Sequence, residues 1–328
     1  MMFKNSLELP FPDIAGLSVM DYRPLEGGCL GSVFWLQAHV TEAFSGYGDL
    51  FTSEQRESLD KPSALTHCVE LVIKTYPASK KTEQNALLTE AAMLRYLKQH
   101  SQLPVPTVLD VTPEWLLMTY LPGTSPTRSQ HDAKSIQADL AQHLARLHRV
   151  EQPYCGLAIE GRAYDTLIGG LKQPNPLTTR WLDFYREQRV FHMALAAYHE
   201  GVCPLDMLKK LEKCCDHIDR WLIEPTAPAL LHGDIWTNNI LAEKGQITGI
   251  LDPAIYYGHP EIELAFGALF GPFDAAFYDA YQDYRSIDDG FFEIRQRLYH
   301  LYPLLVHTRL FGEHYLADVQ AILKRIGL

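Results

Sequence analysis

The chain has no run of about 18 consecutive apolar residues, so neither a membrane-spanning helix nor a membrane partner is expected. Its first residues, Met1 to Gly16, have no basic stretch leading into an apolar one, so no secretory signal is expected. Positive charge is in deficit: 29 Lys and Arg face 40 Asp and Glu, for a net charge of −11. That leaves no surplus to neutralise phosphates along a backbone, and a nucleic-acid partner is not expected. Cysteine is sparse. The six, at positions 29, 68, 155, 203, 214 and 215, include no C-x-x-C spacing, which argues against a zinc site. Reduced thiols in a cytoplasmic protein are the simplest reading, and the lack of an Asn-x-Ser/Thr sequon agrees with it. No internal repeat and no low-complexity tract is present. What remains is 328 residues, 47% apolar and 21% charged, an ordinary globular composition and enough for a two-lobed enzyme.

One stretch organises the rest: Leu231-His232-Gly233-Asp234-Ile235-Trp236-Thr237-Asn238-Asn239-Ile240-Leu241. Asp234 precedes Asn239 by five positions. Asp252 follows Asn239 by thirteen, at the end of the apolar run Ile247 to Leu251. Phosphoryl transfer calls for such a set. One carboxylate accepts the proton of the attacking hydroxyl, while an Asn and a second carboxylate hold the Mg²⁺ that bridges the nucleotide phosphates. The kinase loop H-R-D-x-x-x-x-N with D-F-G appears here as His-Gly-Asp-x-x-x-x-Asn with Asp-Pro-Ala. The Gly and the missing Phe-Gly point towards small-molecule kinases. Only eight residues separate Asp252 from Glu261, where the next helix is expected to start, which is too few for the long activation segment of a protein kinase.

Upstream, Gly27-Gly28-Cys29-Leu30-Gly31-Ser32-Val33 matches G-x-G-x-x-G-x-V at Gly28, Gly31 and Val33, with Glu26 where the first glycine would stand. Such a turn suits a phosphate cradle or a plain hairpin. Cys29, if it lies among backbone N–H groups there, would be a redox-sensitive thiol. Cys68 to Lys74 reads as a strand ending in Val-Ile-Lys, with Lys74 either on the nucleotide phosphates or simply solvated. Thr82 to Gln99 has helical spacing, with Leu87, Ala91, Leu94 and Leu97 on one face and Thr82 as N-cap. Glu90, within the apolar part of that helix, is preferred over Glu83 as the partner of Lys74. Residues 41–67 form a polar insertion.

Val105 to Val111 and Trp115 to Tyr120 read as two more strands. Leu121-Pro122-Gly123 then marks the expected hinge, where adenine would meet the backbone of Met118, Thr119 and Tyr120. Beyond it the chain is mainly helical. Ile136, Leu140, Leu144 and Leu147 form one core stripe, and Leu208, Leu211, Cys215, Ile218 and Leu222 another. An aromatic helix is expected from Arg180-Trp181 to Tyr198.

Taken together, His232-Gly233-Asp234-Ile235-Trp236-x-x-Asn239, Asp252-Pro253-Ala254, Tyr257-Gly258-His259-x-Glu261 and Leu264-Ala265 resemble the fructosamine kinase (ketosamine-3-kinase) family. That family is itself similar to aminoglycoside and choline phosphotransferases. Asp165-x-x-Ile168-Gly169, Asn175, Trp181, Phe184 and Glu187-Gln188-Arg189 also fit. The resemblance covers about residues 27 to 281. It departs at Thr237-Asn238, where the family usually has Ser-Gly, at Glu263, where it usually has Asp, and in the length of the 41–67 insertion.

The resemblance implies an α+β, protein-kinase-like fold. A small antiparallel five-stranded N-lobe with one helix, residues 1–120, would precede a mainly helical C-lobe, residues 121–328. It implies ATP and Mg²⁺ as cofactors and a ketosamine, free or on a glycated protein lysine, as substrate. By matching position Asp234 would be the base, Asn239 and Asp252 the metal ligands, Lys74 the phosphate lysine and Glu90 its partner. Trp236 would stack on a sugar or attract an amine cation, or else pack in the core. His232 and His259 read as structural. Alternatives are a phosphotransferase for another amine or sugar, such as an aminoglycoside or choline-like acceptor, and an inactive ATP-binding module. A monomer or a dimer is compatible with all of these.

Overall fold

The computed structural model describes residues 9–25, 31–41, 43–44, 46–50, 68–76, 85–127, 132–271 and 273–328. Gly28, Cys29, Thr82 and most of the 41–67 insertion lie outside the described residues. By its internal contacts the chain divides into two units. The first comprises Met1–Arg95 and Pro106–Leu121, the second Tyr96–Val105 and Pro122–Leu328.

The first unit is built on five antiparallel strands: β1 (Leu17–Leu25), β2 (Ser32–Val40), β3 (Cys68–Thr75), β4 (Val108–Val111) and β5 (Trp115–Thr119), in the order β1-β2-β3-β5-β4. Along β3 the side chains alternate as a pleated strand requires. Leu71 and Ile73 enter a core with Leu36, Val40, Phe44, Leu109, Trp115 and Leu117, and Lys74 takes the other face. β4 starts three residues later than the apolar run suggests, because Pro104 and Pro106 cannot donate to a ladder. The helix Ala86–His100 buries Leu87, Ala91, Leu94 and Leu97, the expected stripe. Its first turn is capped by Asn85, whose Oδ1 accepts from the Leu88 N–H at 3.0 Å.

The second unit is largely helical. Ala133–Leu147 buries Ile136, Leu140, Leu144 and Leu147, and Leu205–Asp216 buries Met207, Leu208, Leu211, Cys214 and Cys215. The aromatic helix runs from Trp181–Phe184 through a π-helical segment, Tyr185–Phe191, into His192–His199. Helices Pro260–Phe270, Ala275–Gln282, Leu301–Phe311 and Leu316–Arg325 complete the packing. Among the described residues four two-stranded ribbons shape the loops: Ala229–Leu231 with Tyr256–Gly258, Ile240–Glu243 with Gln246–Ile250, Thr166–Ile168 with Leu171–Gln173, and Ala158–Ile159 with Arg162–Ala163. Among the described residues no helix is long and apolar enough to cross a membrane.

Candidate active site

In the first unit, the register that sets Val33 opposite Lys74 also sets Ser32 opposite Thr75. A Cβ on Gly31 would lie 2.1 Å from the Thr75 carbonyl oxygen, so glycine there permits the close approach of two backbones. Lys74 and Glu90 meet: Nζ lies 2.6 Å from the Glu90 carboxylate, with the side chains 17% and 18% exposed. Met118 is buried. The Thr119 and Tyr120 N–H groups already donate to the Thr107 and Glu70 carbonyls, at 3.0 and 3.3 Å.

In the second unit, the chain leaves the ribbon strand Ala229–Leu231 and turns at Gly233, whose φ is +85°. A Cβ there would lie 2.1 Å from the Ala254 carbonyl oxygen, so no other residue fits the turn. Asp234 follows, then buried Ile235 and half-buried Trp236, and Thr237–Asn239 closes as one 3₁₀ turn. The turn brings Asn239 back onto Asp234. Its Nδ2 donates to the Asp234 carboxylate and to the Asp234 backbone carbonyl, both at 3.0 Å. The Leu251 N–H donates to the Asn239 carbonyl at 2.8 Å, and the Ala254 N–H to the His232 carbonyl at 2.8 Å. Two backbone bonds therefore fasten the segment carrying Asp252 to the loop carrying Asp234 and Asn239.

The electrostatics follow from burial and shared sign. Burial first, then repulsion from Asp252 and Glu263, pushes the Asp234 carboxyl up to about 7, against the bond from Asn239. A cation at this place would relieve that repulsion. The Asp252 carboxylate and the Asn239 amide oxygen are hard oxygen donors of the kind Mg²⁺ prefers. His232 is fully buried, and burial pulls its pKa down to about 4. Its Nδ1 accepts from the Asp234 N–H at 3.3 Å. Its Nε2 is buried and makes no hydrogen bond with the described residues. A neutral imidazole that accepts from the loop backbone is a structural part, as expected. His259 is likewise structural. It caps the helix Pro260–Phe270 by accepting from the Glu261 N–H, and burial brings its pKa down to about 3. His259, Glu261 and Asp288 converge within 4.8 Å, but both Glu261 oxygens are taken by Arg295, at 2.8 and 2.6 Å, so a cation is opposed there.

The residue the sequence reading undervalued is Glu263. It is buried, and its carboxylate accepts from the Gly233 N–H at 2.6 Å, the His232 N–H at 3.3 Å and His148 Nε2 at 2.9 Å. Burial alone would raise its pKa, but the bond and charge of His148 outweigh it, and the carboxyl is held below its ordinary value. His148 is completed by the Tyr281 hydroxyl at 2.7 Å from Nδ1. A signal for Glu263 existed. It is an acid placed among Ile262, Leu264, Ala265 and Phe266, in a helix buried around its first two turns. No local signal named His148 or Tyr281, which arrive from other helices.

The family model described as fructosamine kinase matches residues 65–327. A probable ketoamine kinase of Vibrio parahaemolyticus is 33% identical over 72% of this chain and 79% of its own length. One of Synechocystis is 40% identical over 57% of this chain, and the match spans 60% of that relative. Among solved structures, one provisionally identified as a fructosamine-3-kinase of Thermobifida fusca superposes with a TM-score of 0.74. It covers 95% of this chain and 93% of its own, at 24% identity. A thermostable mutant aminoglycoside phosphotransferase, in ternary complex with AMP-PNP and hygromycin B, superposes at 0.62 with 15% identity, covering 94% and 95%. These two likenesses show the fold, which is protein-kinase-like.

Proposed function

The chain belongs to the fructosamine kinase family, and on that premise we propose that it is an ATP-dependent kinase that phosphorylates a sugar hydroxyl of a ketosamine. The observation that carries the reading is the joining of Asp234, Asn239 and Asp252 by the Asn239 side chain and the Leu251 N–H. The names of the relatives, ketoamine kinases, support the acceptor class. The structural neighbour that binds an ATP analogue supports the donor.

In this reading Asp234 takes the proton of the acceptor hydroxyl as its oxygen bonds to the γ-phosphorus and the bond from that phosphorus to the leaving ADP oxygen breaks. Asn239 and Asp252 would hold Mg²⁺, which neutralises charge on the phosphates. Lys74, oriented by Glu90, places a fixed cation for the phosphates. Glu263 keeps the loop backbone still, so Asp234 needs no reorganisation when the hydroxyl arrives. Trp236, half-buried beside the base, offers an aromatic face to a sugar or an amine. The acceptor is a small-molecule or protein-bound amine adduct, and the compartment is the cytoplasm.

The test is ADP release from ATP on ribulosamine and fructosamine conjugates, beside aminoglycoside and choline-like acceptors, with Asp234→Asn as control. Turnover confined to the ketosamines supports the proposal. Turnover only on the other acceptors, or none with any of them, rejects it.

A further inference from the structure

Asp252 is one of three non-glycine residues in the described chain with a positive φ, at +51°. A side chain there crowds the following carbonyl, and such a conformation persists only where its surroundings leave no alternative. On its N-terminal side, the Leu251 N–H is fixed to Asn239. On its C-terminal side, Pro253 stiffens the chain and the Ala254 N–H is fixed to His232. One further hold comes from outside both loops. Gln173 Nε2 donates to the Ala254 carbonyl at 2.9 Å.

Gln173 is fully buried, and its amide is committed at both ends. The Ala254 carbonyl can only accept, so the NH₂ end must face it. Nε2 also reaches the Thr166 hydroxyl at 2.7 Å, which leaves Oε1 for the Tyr302 hydroxyl at 2.5 Å. The turn that sets Gln173 opposite Thr166 is Gly169-Gly170, with φ of +53° and +86°, a two-residue hairpin turn that suits glycine. Behind it, Asn175 Nδ2 donates to the same Thr166 oxygen at 2.8 Å, and Arg189 Nη2 to Asn175 Oδ1 at 2.7 Å. Arg189 is sealed, with its guanidinium 3.9 Å from the Tyr256 ring centre and 4.5 Å from that of Phe184. Thr166, Gln173, Asn175 and Arg189 are all fully buried, away from bulk solvent. If the amide is lost, the Ala254 carbonyl loses its side-chain partner and Asp252 loses one of the holds on its C-terminal side, beside the Ala254 N–H bond to His232.

We propose that Gln173 is a positioning residue for Asp252: through the Ala254 carbonyl it helps hold Asp252 in the left-handed conformation from which its carboxylate would bind the metal. The inference rests on the reading of Asp252 as a metal ligand.

The experiment measures Mn²⁺ binding by electron paramagnetic resonance, in the presence of ATP, together with kcat and the KM for ATP. Gln173→Met, of similar volume without the amide, is expected to weaken Mn²⁺ about tenfold and to lower kcat, with the KM for ATP changed less than about twofold. Tyr302→Phe removes only the hydroxyl that orients the amide. It is expected to weaken Mn²⁺ about threefold, and it serves as the test if Gln173→Met does not fold. Asp252→Asn separates the two claims. If it abolishes tight Mn²⁺ binding while folded Gln173→Met, or Tyr302→Phe in its place, binds as the unaltered protein does, the positioning role is overturned and the ligand reading stands. If Asp252→Asn binds Mn²⁺ unchanged, the ligand reading falls and takes the inference with it.

Discussion

Two pairs of an acid with a basic side chain, one in each unit, are built for opposite purposes. Glu90 and Lys74 meet at 2.6 Å with both side chains partly open to solvent, at 18% and 17%. Glu263 and His148 meet at 2.9 Å with 1% and 0% exposed, and Glu263 also takes two backbone N–H groups. An open pair is worth little to the fold and can exchange partners, as the proposed phosphate role of Lys74 would require. A sealed pair cannot exchange, and removing one member leaves an uncompensated buried charge or N–H. The first pair suits ligand contact, the second a rigid support for Gly233 and Asp234.

The largest effect should come from breaking the sealed pair. Removing His148 by His148→Ala strands the buried Glu263 carboxylate, and chemical denaturation should show a loss of about 3 to 5 kcal/mol. If the loss is below about 1 kcal/mol, the two pairs do not differ in kind.

Next comes Asp234→Asn, which should cut turnover by at least about 10²-fold while leaving the fold intact. Its stability effect has a definite sign. Burial raises the Asp234 carboxyl from 3.8 to about 7, so the folded state binds this proton more tightly than the unfolded chain. Stability is therefore lost as pH rises from about 4 through about 7, and the loss persists above that. The Asn variant escapes it. Without Mg²⁺, it should melt higher than the unaltered protein at pH 8, and the advantage should vanish near pH 4. Equal melting temperatures at pH 8 would remove the electrostatic argument.

Gly233→Ala tests the turn that the sealed pair holds. Its Cβ would meet the Ala254 carbonyl at a positive φ, and a loss of about 2 kcal/mol is expected by thermal melting. The smallest effect is reserved for the open pair. Glu90→Gln should change stability by less than about 1 kcal/mol, while the KM for ATP rises. A large destabilisation with an unchanged KM would make Lys74–Glu90 another support.

The division between legible and illegible residues follows contact distance along the chain. The Asp234–Asn239 spacing could be read because a single 3₁₀ turn closes it, and the Asn239 amide meets its aspartate within five positions. The strand and helix that carry Lys74 and Glu90 were legible because each is locally periodic, while their pairing was expected from the kinase-like arrangement and is met at 2.6 Å. Thr82 as a cap falls outside the described residues, and Asn85 does that work at Ala86. The N-terminal limit of β4 was missed because prolines suppress ladder bonds without interrupting the apolar run.

Local chemistry, then, settled which elements form and which carboxylates and amides share a loop, since turns, strand alternation and helical stripes depend on neighbours a few residues away. It could not say that Glu263 would find His148 115 positions upstream, or that Gln173 would reach Ala254 across 81. Those partners were chosen when buried polar groups, cut off from water, had to be satisfied by whatever the packed helices and ribbons brought within about 3 Å.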